Sequence, residues 1–483
     1  MKRTNNKYKM IFNLMFSLSV TLAIVVPTGI PHDLTYPEII FEPPLQYEIQ
    51  KLLASDGMVE DCFGYSVALD EDVAIVSAPQ DDVGEMYQGS VYIYRFNGNV
   101  WEQEQKLLAS DGEYLDLFGG SVAIDGNIAV VGCSGDDDVN PYDPFCNSGA
   151  VYVYRYDGVL WREETKIVAS DSAEGDYFGC AVVLDNERIL VGAHQSRYPN
   201  TPGAGAAYLY HFDGSEWVEE QKLLTSDGLS GDRFGHAVAL DDSVALIGAF
   251  YDDDLGEHAG SAYIFRYEDS TWNQEQKLLA SDGTLDDHFG CSVAIENTIA
   301  IIGAEYDDDN GDNSGSTYVF RDDGSLWTEE QKLVASDAEA KDFFGCAVAI
   351  DHQKILIGAS DSYELDPGYG STYVYSYDDS QWYEEVKLVA SDGSLKDKFG
   401  HSIAVCDNTV LVGADGYDLG RGAAYLYDLP LQADINGDGV VNAQDLLMLL
   451  AAWGNPGGPE DINGDGIVDT ADLLILLAHW TVN

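Results

Sequence analysis

The sequence predicts an all-β fold, a seven-bladed β-propeller closed by an N-terminal strand, followed by a small α-helical calcium module. Three observations predict it. A Phe-Gly pair recurs seven times, at spacings of 55, 60, 56, 55, 55 and 55 residues. A lone copy of the last strand of each repeat stands ahead of the first repeat, and a duplicated acidic loop follows the last one.

The first 28 residues predict a signal peptide. Four basic residues precede Met10, and the apolar stretch that follows runs to Val26. At 17 residues, interrupted by Asn, Ser and Thr, it is short and impure for a membrane span. We therefore expect a secreted protein, extracellular or at the cell surface, with a linker over residues 29–45 and no membrane span in the mature chain. An uncleaved anchor is the alternative.

Export implies an oxidising compartment, yet the cysteine count is odd, at seven. Cys133 and Cys146 bracket one long loop and are the best disulfide candidates. Cys180, Cys291 and Cys346 occupy the same position in three different repeats. Because equivalent positions in separate units seldom pair, we expect these three to be small buried residues.

Each repeat contains four short strand-like segments. The Phe-Gly pair opens the first, and the second ends at Gly-Ala or, over 77–79, at Ser-Ala-Pro. An acidic loop leads to a third segment with alternating tyrosines, such as Tyr92 and Tyr94, and the fourth runs from Trp to Lys-Leu. Four strands repeated seven times are typical of propeller blades. A solenoid, the competing architecture, would need capping repeats that differ from the rest.

The ring-closing strand is displaced in the sequence. The seventh repeat stops after its third strand at 425–427, while residues 50–56 copy the fourth-strand sequence of 105–111. The two ends can complete one blade only if they meet, so we expect the N-terminal strand to close a monomeric propeller over residues 46–429. Gln46 holds the place of the Trp that starts the other fourth strands.

Four positions keep one residue type through the repeats. Perfect repetition favours turn and packing chemistry over a ligand pocket, which usually breaks symmetry. Asp stands two residues before each Phe, at Asp61, Asp116, Asp176, Asp232, Asp287, Asp342 and Asp397. Ser-Asp closes each fourth strand, at Asp56, Asp111, Asp171, Asp227, Asp282, Asp337 and Asp392. A ring of carboxylates at one rim is the functional alternative.

The other two repeated positions are Lys and Trp in the fourth strand. The lysines are expected to pair with the repeated acids or to shield outer edge strands. They are Lys51, Lys106, Lys166, Lys222, Lys277, Lys332 and Lys387. The tryptophans are expected to pack between blades, with a glycan-binding ring as the alternative. They are Trp101, Trp161, Trp217, Trp272, Trp327 and Trp382.

The loops after the second strands vary most, and variable loops on a rigid ring are the expected ligand surface. Three of them carry runs of three aspartates, at 136–138, 252–254 and 307–309. The loop from Asp307 to Asp312 has enough oxygens for a hard cation, but its spacing fits no defined calcium loop, which favours a solvated acidic loop.

The repeats resemble the FG-GAP repeats of the integrin α-subunit propeller and its bacterial relatives. The resemblance covers about residues 46–429 and rests on the Phe-Gly and Gly-Ala pairs, with Ala78-Pro79 keeping the full Ala-Pro. The family often carries a D-x-D-x-D-G calcium loop between these motifs. Here the interval holds only tight turns, such as 69–73 and 295–298, so the family's propeller calcium sites are not carried over.

The C-terminal segment contains two copies of one loop, 27 residues apart. Oxygen ligands fall at positions 1, 3, 5, 9 and 12 with Gly at 6, which is the EF-hand arrangement, and position 7 offers a backbone carbonyl. We therefore expect two Ca²⁺ ions as the cofactor. The predicted ligands are Asp434, Asn436, Asp438, Val440, Asn442, Asp445, Asp461, Asn463, Asp465, Ile467, Asp469 and Asp472.

Each loop leads into one apolar helix, and this duplicated loop-helix unit over residues 433–483 resembles a dockerin. The resemblance implies calcium-dependent folding and docking onto a cohesin-like module of another protein. Loop positions 10 and 11, which help choose the partner in well-known dockerins, are Ala443-Gln444 and Thr470-Ala471 here instead of Ser-Thr. A cellulosome scaffold is therefore not implied. Aspartate at position 12 favours constitutive calcium occupancy over sensing.

The net charge of −60 argues against nucleic acid and anionic membrane surfaces as partners. No metalloprotease, triad or G-x-S-x-G motif stands out, so no catalytic residue and no other cofactor is assigned. The sequence favours a secreted, non-catalytic binding or adhesion protein whose propeller loops present a ligand surface. A component that binds or degrades polysaccharide in an extracellular complex is the alternative, with a carboxylate pair as its catalytic group and a glycan as its ligand.

Overall fold

The structure is a computed structural model. It describes residues 45–137, 146–196, 203–352, 354–360, 369–378, 380–429, 435, 441–455, 462 and 467–478. The predicted signal peptide and nearly all of the predicted linker lie outside these residues. Within them, no helix is both long and apolar enough to cross a membrane.

Seven antiparallel sheets, numbered here as blades 1 to 7 in the order of their Phe-Gly pairs, form the propeller. The first strands are Val67–Asp70, Ser121–Asp125, Val182–Asp185, Val238–Asp241, Phe289–Glu296, Phe344–Asp351 and Ser402–Cys406. The second strands are Val73–Ala78, Ile128–Cys133, Arg188–Ala193, Val244–Ala249, Ile299–Ala304, Lys354–Ala359 and Thr409–Ala414. First strands of neighbouring blades contact one another around the ring, so they are the innermost strands.

The outer half of each blade holds the third and fourth strands. The third strands are Ser90–Phe96, Ala150–Tyr156, Ala206–Phe212, Ser261–Glu268, Ser316–Asp322, Ser371–Tyr377 and Ala423–Asp428. The fourth strands of blades 1 to 6 are Trp101–Leu107, Trp161–Ile167, Trp217–Leu223, Thr271–Leu278, Trp327–Leu333 and Trp382–Val389. The first strands begin, and the second strands end, at one rim, which we call the FG rim. The hairpins between first and second strands lie at the other rim.

The N-terminal strand closes the ring, as predicted. Gln50–Leu52 pairs antiparallel with Ala423–Asp428, with Lys51 opposite Tyr425, and so supplies the fourth strand of blade 7. The position of Gln46 differs from the prediction. Leu45–Tyr47 pairs in parallel with Trp382–Val389 and extends blade 6 to five strands. The Nε2 of Gln46 donates to the backbone carbonyl of Asp428 at 2.6 Å, which links this added strand to blade 7.

The glycines of the repeat are required where blades meet. Gly149, at φ +82°, bridges to Phe178 of the next blade, and a Cβ there would lie 2.0 Å from the Phe178 carbonyl oxygen. A Cβ on Gly248 would lie 2.0 Å from the carbonyl oxygen of Gly290. The Phe-Gly and Gly-Ala pairs therefore serve contact between blades, because only glycine permits this approach.

Buried aromatic side chains fill the spaces between and within blades. Phe118 has no exposed surface, and its ring packs edge-on against Tyr152 at 5.4 Å. The cluster around it spans blades 1 and 2 and includes Trp161, whose backbone N–H donates to Gln105 of blade 1 at 2.9 Å. The predicted packing role of the tryptophans is confirmed there, while Trp217 is only half-buried.

The cysteines differ from both predictions. Cys133 and Cys146 are buried and are not joined by a disulfide, and the Sγ of Cys133 donates to the Asp116 carbonyl at 3.2 Å. Cys180, Cys291 and Cys346 are half-buried rather than buried, and the thiol of Cys180 lies against the carbonyl of Gly235 in the next blade at 3.5 Å. Burial raises the pKa of Cys180 to about 12.

Beyond the propeller, the described residues include two short helices, Ala443–Ala452 and Thr470–Ala478. Val441, Leu449, Ala452, Val468 and Leu476 form one buried cluster between them. A further segment, Tyr417–Gly420, has left-handed backbone angles at its two central residues and is a turn in the acidic loop of blade 7.

Candidate functional site

A cluster of one lysine, one tyrosine and two aspartates joins blade 7 to blade 1 at the FG rim. The Nζ of Lys106 lies 2.7 Å from Asp56 and 2.7 Å from Asp81. The hydroxyl of Tyr92 donates to the other oxygen of Asp56 at 2.7 Å. Asp56 follows the fourth strand of blade 7, whereas the other three residues belong to blade 1. We call this arrangement a lysine corner.

The Asp, Lys and Tyr contacts of the lysine corner recur between every pair of neighbouring blades, and the second aspartate is present in four of the seven blades, as Asp81, Asp136, Asp252 and Asp307. In each, the Asp of the Ser-Asp pair accepts from both the Lys and the first Tyr of the next blade. Burial opposes the charge of Asp56, but hydrogen bonds from Lys106 and Tyr92 hold its pKa below the usual value. The predicted pairing of the repeated lysines with repeated acids is confirmed, and these carboxylates are structural.

Lysine side chains form ion pairs with the acidic loops that had suggested a cation site. In blade 5 the Nζ of Lys332 lies 2.8 Å from Asp307 and 2.7 Å from Asp309. Lys332 also contacts Asp282 of the preceding Ser-Asp pair at 2.8 Å. Asp307 is buried, so its charge needs a close partner. The ammonium group supplies that partner, and the prediction of a merely solvated loop is wrong for this aspartate.

The aspartates that precede each Phe-Gly pair are turn residues, as predicted. Asp116 accepts a hydrogen bond from the Glu113 N–H at 2.6 Å, and all seven members accept the same bond. Burial, with the nearby carboxylate of Asp136, raises the pKa of Asp116 to about 7. The same causes, with Asp81 and Asp252 as neighbours, raise the pKa values of Asp61 and Asp232 to about 6.

The feature that breaks the sevenfold symmetry is a row of nine aromatic and imidazole rings at the FG rim. We call it the aromatic belt. Its members lie next to the Phe-Gly or Gly-Ala pairs of blades 3 to 6, or in the acidic loop of blade 4. They are Tyr177, His194, His236, Phe250, Tyr251, His258, His288, Tyr306 and Phe343.

Successive rings of the belt touch. Along the row, ring centroids are separated by 5.6, 5.6, 4.2, 5.3, 4.3 and 5.4 Å, from Tyr177 through to Phe343. Tyr251 joins through Phe250 at 4.1 Å and stacks on His258 at 4.3 Å. His288 is buried, and each of the other eight rings is half-buried. The row therefore exposes part of its ring surface to solvent.

Equivalent positions elsewhere in the ring carry no such row. Before the Phe stand Cys62, Leu117 and Lys398, and after the Gly-Ala or its equivalent stand Pro79, Ser134, Ser360 and Asp415. Among the described residues, Tyr65 and His401 form a separate ring pair at 5.2 Å between blades 1 and 7. The fold itself does not require a continuous row of rings here, because the other blades form without one.

The belt is neutral at its blade 3 end and acidic at its border. Burial, with the neighbouring His236 and Arg233, lowers the pKa of His194 to about 3. Burial and Arg233 lower the pKa of His236 to about 4. Exposed carboxylates flank the middle of the belt, at Asp253, Asp254, Glu257 and Asp286 of blades 4 and 5. The surface therefore combines uncharged ring faces with negative charge, which suits apolar and cationic groups.

Comparison with known proteins gives the family. The FG-GAP repeat family matches seven segments, 47–94, 101–154, 161–210, 217–265, 272–320, 327–375 and 382–427. Together they make up more than half of the chain. The chain belongs to the FG-GAP repeat family. One solved structure it resembles is described as a crystal structure of the mitotic checkpoint complex, at 11% identity and TM-score 0.49, covering 85% of this chain and 99% of that one.

A cleft of about 720 Å³ lies at the opposite rim of this FG-GAP propeller, between blades 2, 3 and 4. Arg188 in it lies 3.4 Å from Glu220 and 4.8 Å over the ring of Tyr267. Arginine over an aromatic ring of the next blade recurs elsewhere in the FG-GAP ring, for example Arg95 over Tyr156 at 4.9 Å. The arginine and the aromatic ring that line the cleft therefore make a packing contact that repeats around the propeller. For that reason the belt is the stronger candidate site.

The tight turns that replace the calcium loops of other FG-GAP proteins are present as predicted. In blade 1, Asp70 pairs directly with Val73, which leaves a two-residue turn. The amide of Gly126 in the corresponding turn of blade 2 donates to the Asp70 carboxylate at 2.6 Å. These acidic turn residues therefore link neighbouring hairpins at the rim opposite the belt.

Five of the twelve predicted calcium ligands are among the described residues. Asp445 and Asp472 have no exposed surface and accept hydrogen bonds from the amides of Asn442 and Asp469 at 2.8 and 2.7 Å. Ile467, by contrast, is exposed. The other predicted ligands lie outside the described residues, namely Asp434, Asn436, Asp438, Val440, Asp461, Asn463 and Asp465.

Sequence reasoning missed the belt because it compared what the repeats share. The signal was present at positions aligned by the Phe-Gly and Gly-Ala pairs. After Gly-Ala the chain has His194, Phe250 and Glu305 in blades 3 to 5, against Pro79 and Ser134 in blades 1 and 2. A comparison of where repeats differ would have identified blades 3 to 6.

Proposed function

We propose that this protein is a secreted, non-catalytic binding protein whose aromatic belt holds an extracellular protein ligand. The observation that carries the proposal is the break in symmetry. Nine contacting rings lie in blades 3 to 6, and among the described residues no continuous row of rings stands at the equivalent positions of the other blades. The repeated acids, lysines and tryptophans make contacts between blades. The belt rings are not part of these repeated contacts, so they can serve a ligand.

A protein ligand fits the belt better than a sugar. Interface centres are rich in Tyr and Phe with a polar rim, and Tyr and Phe supply five of the nine belt rings. Tyr251 stacks on His258, and His288 stacks on Tyr306 at 4.3 Å, so several ring faces are used within the protein. A sugar platform needs a free flat face. Exposed acids at the border favour a ligand segment with Lys or Arg beside apolar residues.

We further propose that the C-terminal module is a dockerin-like tether that folds around two Ca²⁺ ions and docks onto a cohesin-like partner. In support, both described helices begin with the same amide-to-Asp hydrogen bond, and both position-12 carboxylates are buried. Burying a carboxylate is costly unless its charge is compensated. Leu447, Leu450 and Trp453 of the module are exposed, which suits an apolar docking face.

The test is a binding screen of the full chain, with calcium present, against extracellular proteins and a glycan array. A triple variant, Phe250→Ser, Tyr251→Gln and Tyr306→Gln, takes its residues from equivalent positions of other blades, so folding should be retained. We expect a protein ligand that the triple variant binds at least about tenfold more weakly, since central aromatic contacts dominate interfaces.

His401→Tyr is the matched control, because blade 1 carries Tyr65 at that position and His401 lies outside the belt. Its affinity should equal that of the wild type. Binding to glycans alone would favour the carbohydrate alternative. A protein ligand bound equally well by the triple variant would contradict the proposed surface.

A further inference from the structure

We propose that His258, Asp286 and His288 form a binding site for a transition-metal ion, with Zn²⁺ as the expected ion, where blade 4 meets blade 5. Each residue offers one ligand atom, and the three atoms lie within 4.8 Å of one another. Two imidazoles and one carboxylate are a donor set for zinc and related metals, whereas calcium and magnesium prefer oxygen alone.

The side chains are close because the backbone holds them there. The Asp286 N–H donates to the Glu257 carbonyl at 2.9 Å, and the His288 N–H donates to the His258 carbonyl at 3.2 Å. These bonds belong to the parallel contact between Gly260 and Phe289 that links all neighbouring blades. The Nδ1 of His258 already lies 3.2 Å from the Oδ1 of Asp286. Small side-chain rotations would place each of the three donor atoms roughly 2.0–2.2 Å from a shared zinc ion, which is the usual length of a zinc–ligand bond.

His288 provides a second observation that points to a ligand. The residue is only 7% exposed, and its Nδ1 is buried with no hydrogen-bond partner among the described residues. Buried ring nitrogens are normally satisfied. The nearest further carboxylate, Glu305, lies 4.0 Å from this nitrogen.

Other blade junctions have the same backbone but different donors. The residue before each Phe adopts a left-handed conformation throughout, so the strain at His288 is not itself a sign of function. The triplet at the next junction is Asn313, Lys341 and Phe343, in which a cation replaces the central carboxylate. The junction of blades 1 and 2 has Tyr87, Leu115 and Leu117. The combination of two imidazoles with one carboxylate occurs at one place in the described ring.

Neighbouring blades also supply the test variants. His258→Asn introduces the residue found at Asn313, and His288→Phe introduces the residue found at Phe343, so both positions are known to accept these side chains. His401→Tyr is the control, because it removes an imidazole from the same rim outside the site. The full chain is titrated with Zn²⁺ by calorimetry in excess Ca²⁺, which occupies oxygen-only sites. Co²⁺ then serves as an absorption probe of the ligand set.

We expect the wild type and His401→Tyr to bind one Zn²⁺ with equal affinity. Both site variants should bind at least about tenfold more weakly, while their circular dichroism stays unchanged. The cobalt spectrum should lack a thiolate charge-transfer band, since no cysteine is a ligand. The proposal is overturned if the wild type takes up no Zn²⁺, if either folded site variant keeps the wild-type affinity, or if the thiolate band appears.

Discussion

The ammonium group of Lys51 lies 2.8 Å from the carboxylate of Asp392, 341 residues further along the chain. Tyr425 donates to the same carboxylate at 3.1 Å. This pair is the lysine corner at the seam of the ring, where the N-terminal strand completes blade 7. It shares the Asp, Lys and Tyr contacts of the other six corners, although the ring of Tyr417, 3.2 Å from the Lys51 ammonium, stands where four other blades have a second aspartate. Closure therefore uses a contact that already joins every other pair of blades.

The corners should differ in strength according to burial. Lys51→Met should cost about 1 kcal/mol of unfolding free energy, because Asp392 has a 45% exposed side chain and can be solvated. Lys277→Met should cost about 3 kcal/mol, because it leaves Asp252, whose side chain is 5% exposed, without its cation. Chemical denaturation measures both. Equal costs, or a larger cost at Lys51, would show that burial does not set the strength.

Protonation of three buried carboxyls should stabilise the folded chain when the pH is lowered from about 7.5 to about 5. His194 and His236 act in the opposite direction over the same range, because burial lowers their pKa values. The raised pKa values of Asp61, Asp116 and Asp232 mean that the folded chain binds these protons more tightly than the unfolded chain. Their stabilising effect is complete below about 4 and is lost as the pH rises through about 6 to 7, on the order of 1 kcal/mol for each carboxyl. Below about pH 4 the lysine corners should weaken, because their aspartates, whose pKa values are lowered in the folded chain, then begin to be protonated.

Asp116→Asn checks the pH prediction. The amide oxygen can still accept the Glu113 N–H, but the side chain no longer titrates. Thermal unfolding followed by calorimetry should show a higher melting temperature than the wild type at pH 7.5 and a smaller gain on acidification. If the wild type and Asp116→Asn respond equally to acidification, the pKa of Asp116 is not raised.

Two glycines with similar backbone angles should respond very differently to substitution. Gly149→Ala should cost at least about 3 kcal/mol, because its Cβ would lie 2.0 Å from the Phe178 carbonyl oxygen. Gly158→Ala, at φ +91° with open space around it, should cost only about 1 kcal/mol for the left-handed backbone. Comparable losses in urea denaturation would refute contact between blades as the reason for the repeated glycine.

Asp465→Ala should unfold the C-terminal module and leave the propeller intact. Asp465 is position 5 of the second predicted calcium loop, and EF-hand loops of this kind lose affinity when an oxygen ligand is removed. Two calorimetric transitions should be seen for the wild type in calcium, and the variant should lose one. If chelation of calcium instead melts the whole chain in one step, the module and propeller do not fold separately.

The fold could be predicted from the sequence because its determinants repeat. The Phe-Gly pair marks each blade, and the copied 50–56 segment locates the seam, since a strand missing at one end and present at the other requires a closed ring. The parallel strand Leu45–Tyr47 could not be predicted in this way. It has no counterpart in the repeats, and its partner is the blade before the one that it was expected to join.

The candidate site could be predicted only in part, because its residues do not repeat from blade to blade. Asp307 and its neighbours looked like cation ligands, but Lys332 reaches them from the fourth strand, and that distance in the sequence conceals the pairing. The belt depends on rings from four blades meeting at one rim. No single repeat shows it, and His194 and His236, 42 positions apart, are in contact only because two blades are adjacent.

The most direct test of the belt as the ligand surface is hydrogen–deuterium exchange of the full chain with and without the protein ligand found in the screen. Our account predicts ligand-dependent protection in the segments around Tyr177, His236, 250–258, His288 and Tyr306, with blades 1 and 7 unchanged. Protection confined to the cleft around Arg155 and Arg188 at the opposite rim, with the belt unaffected, would contradict it.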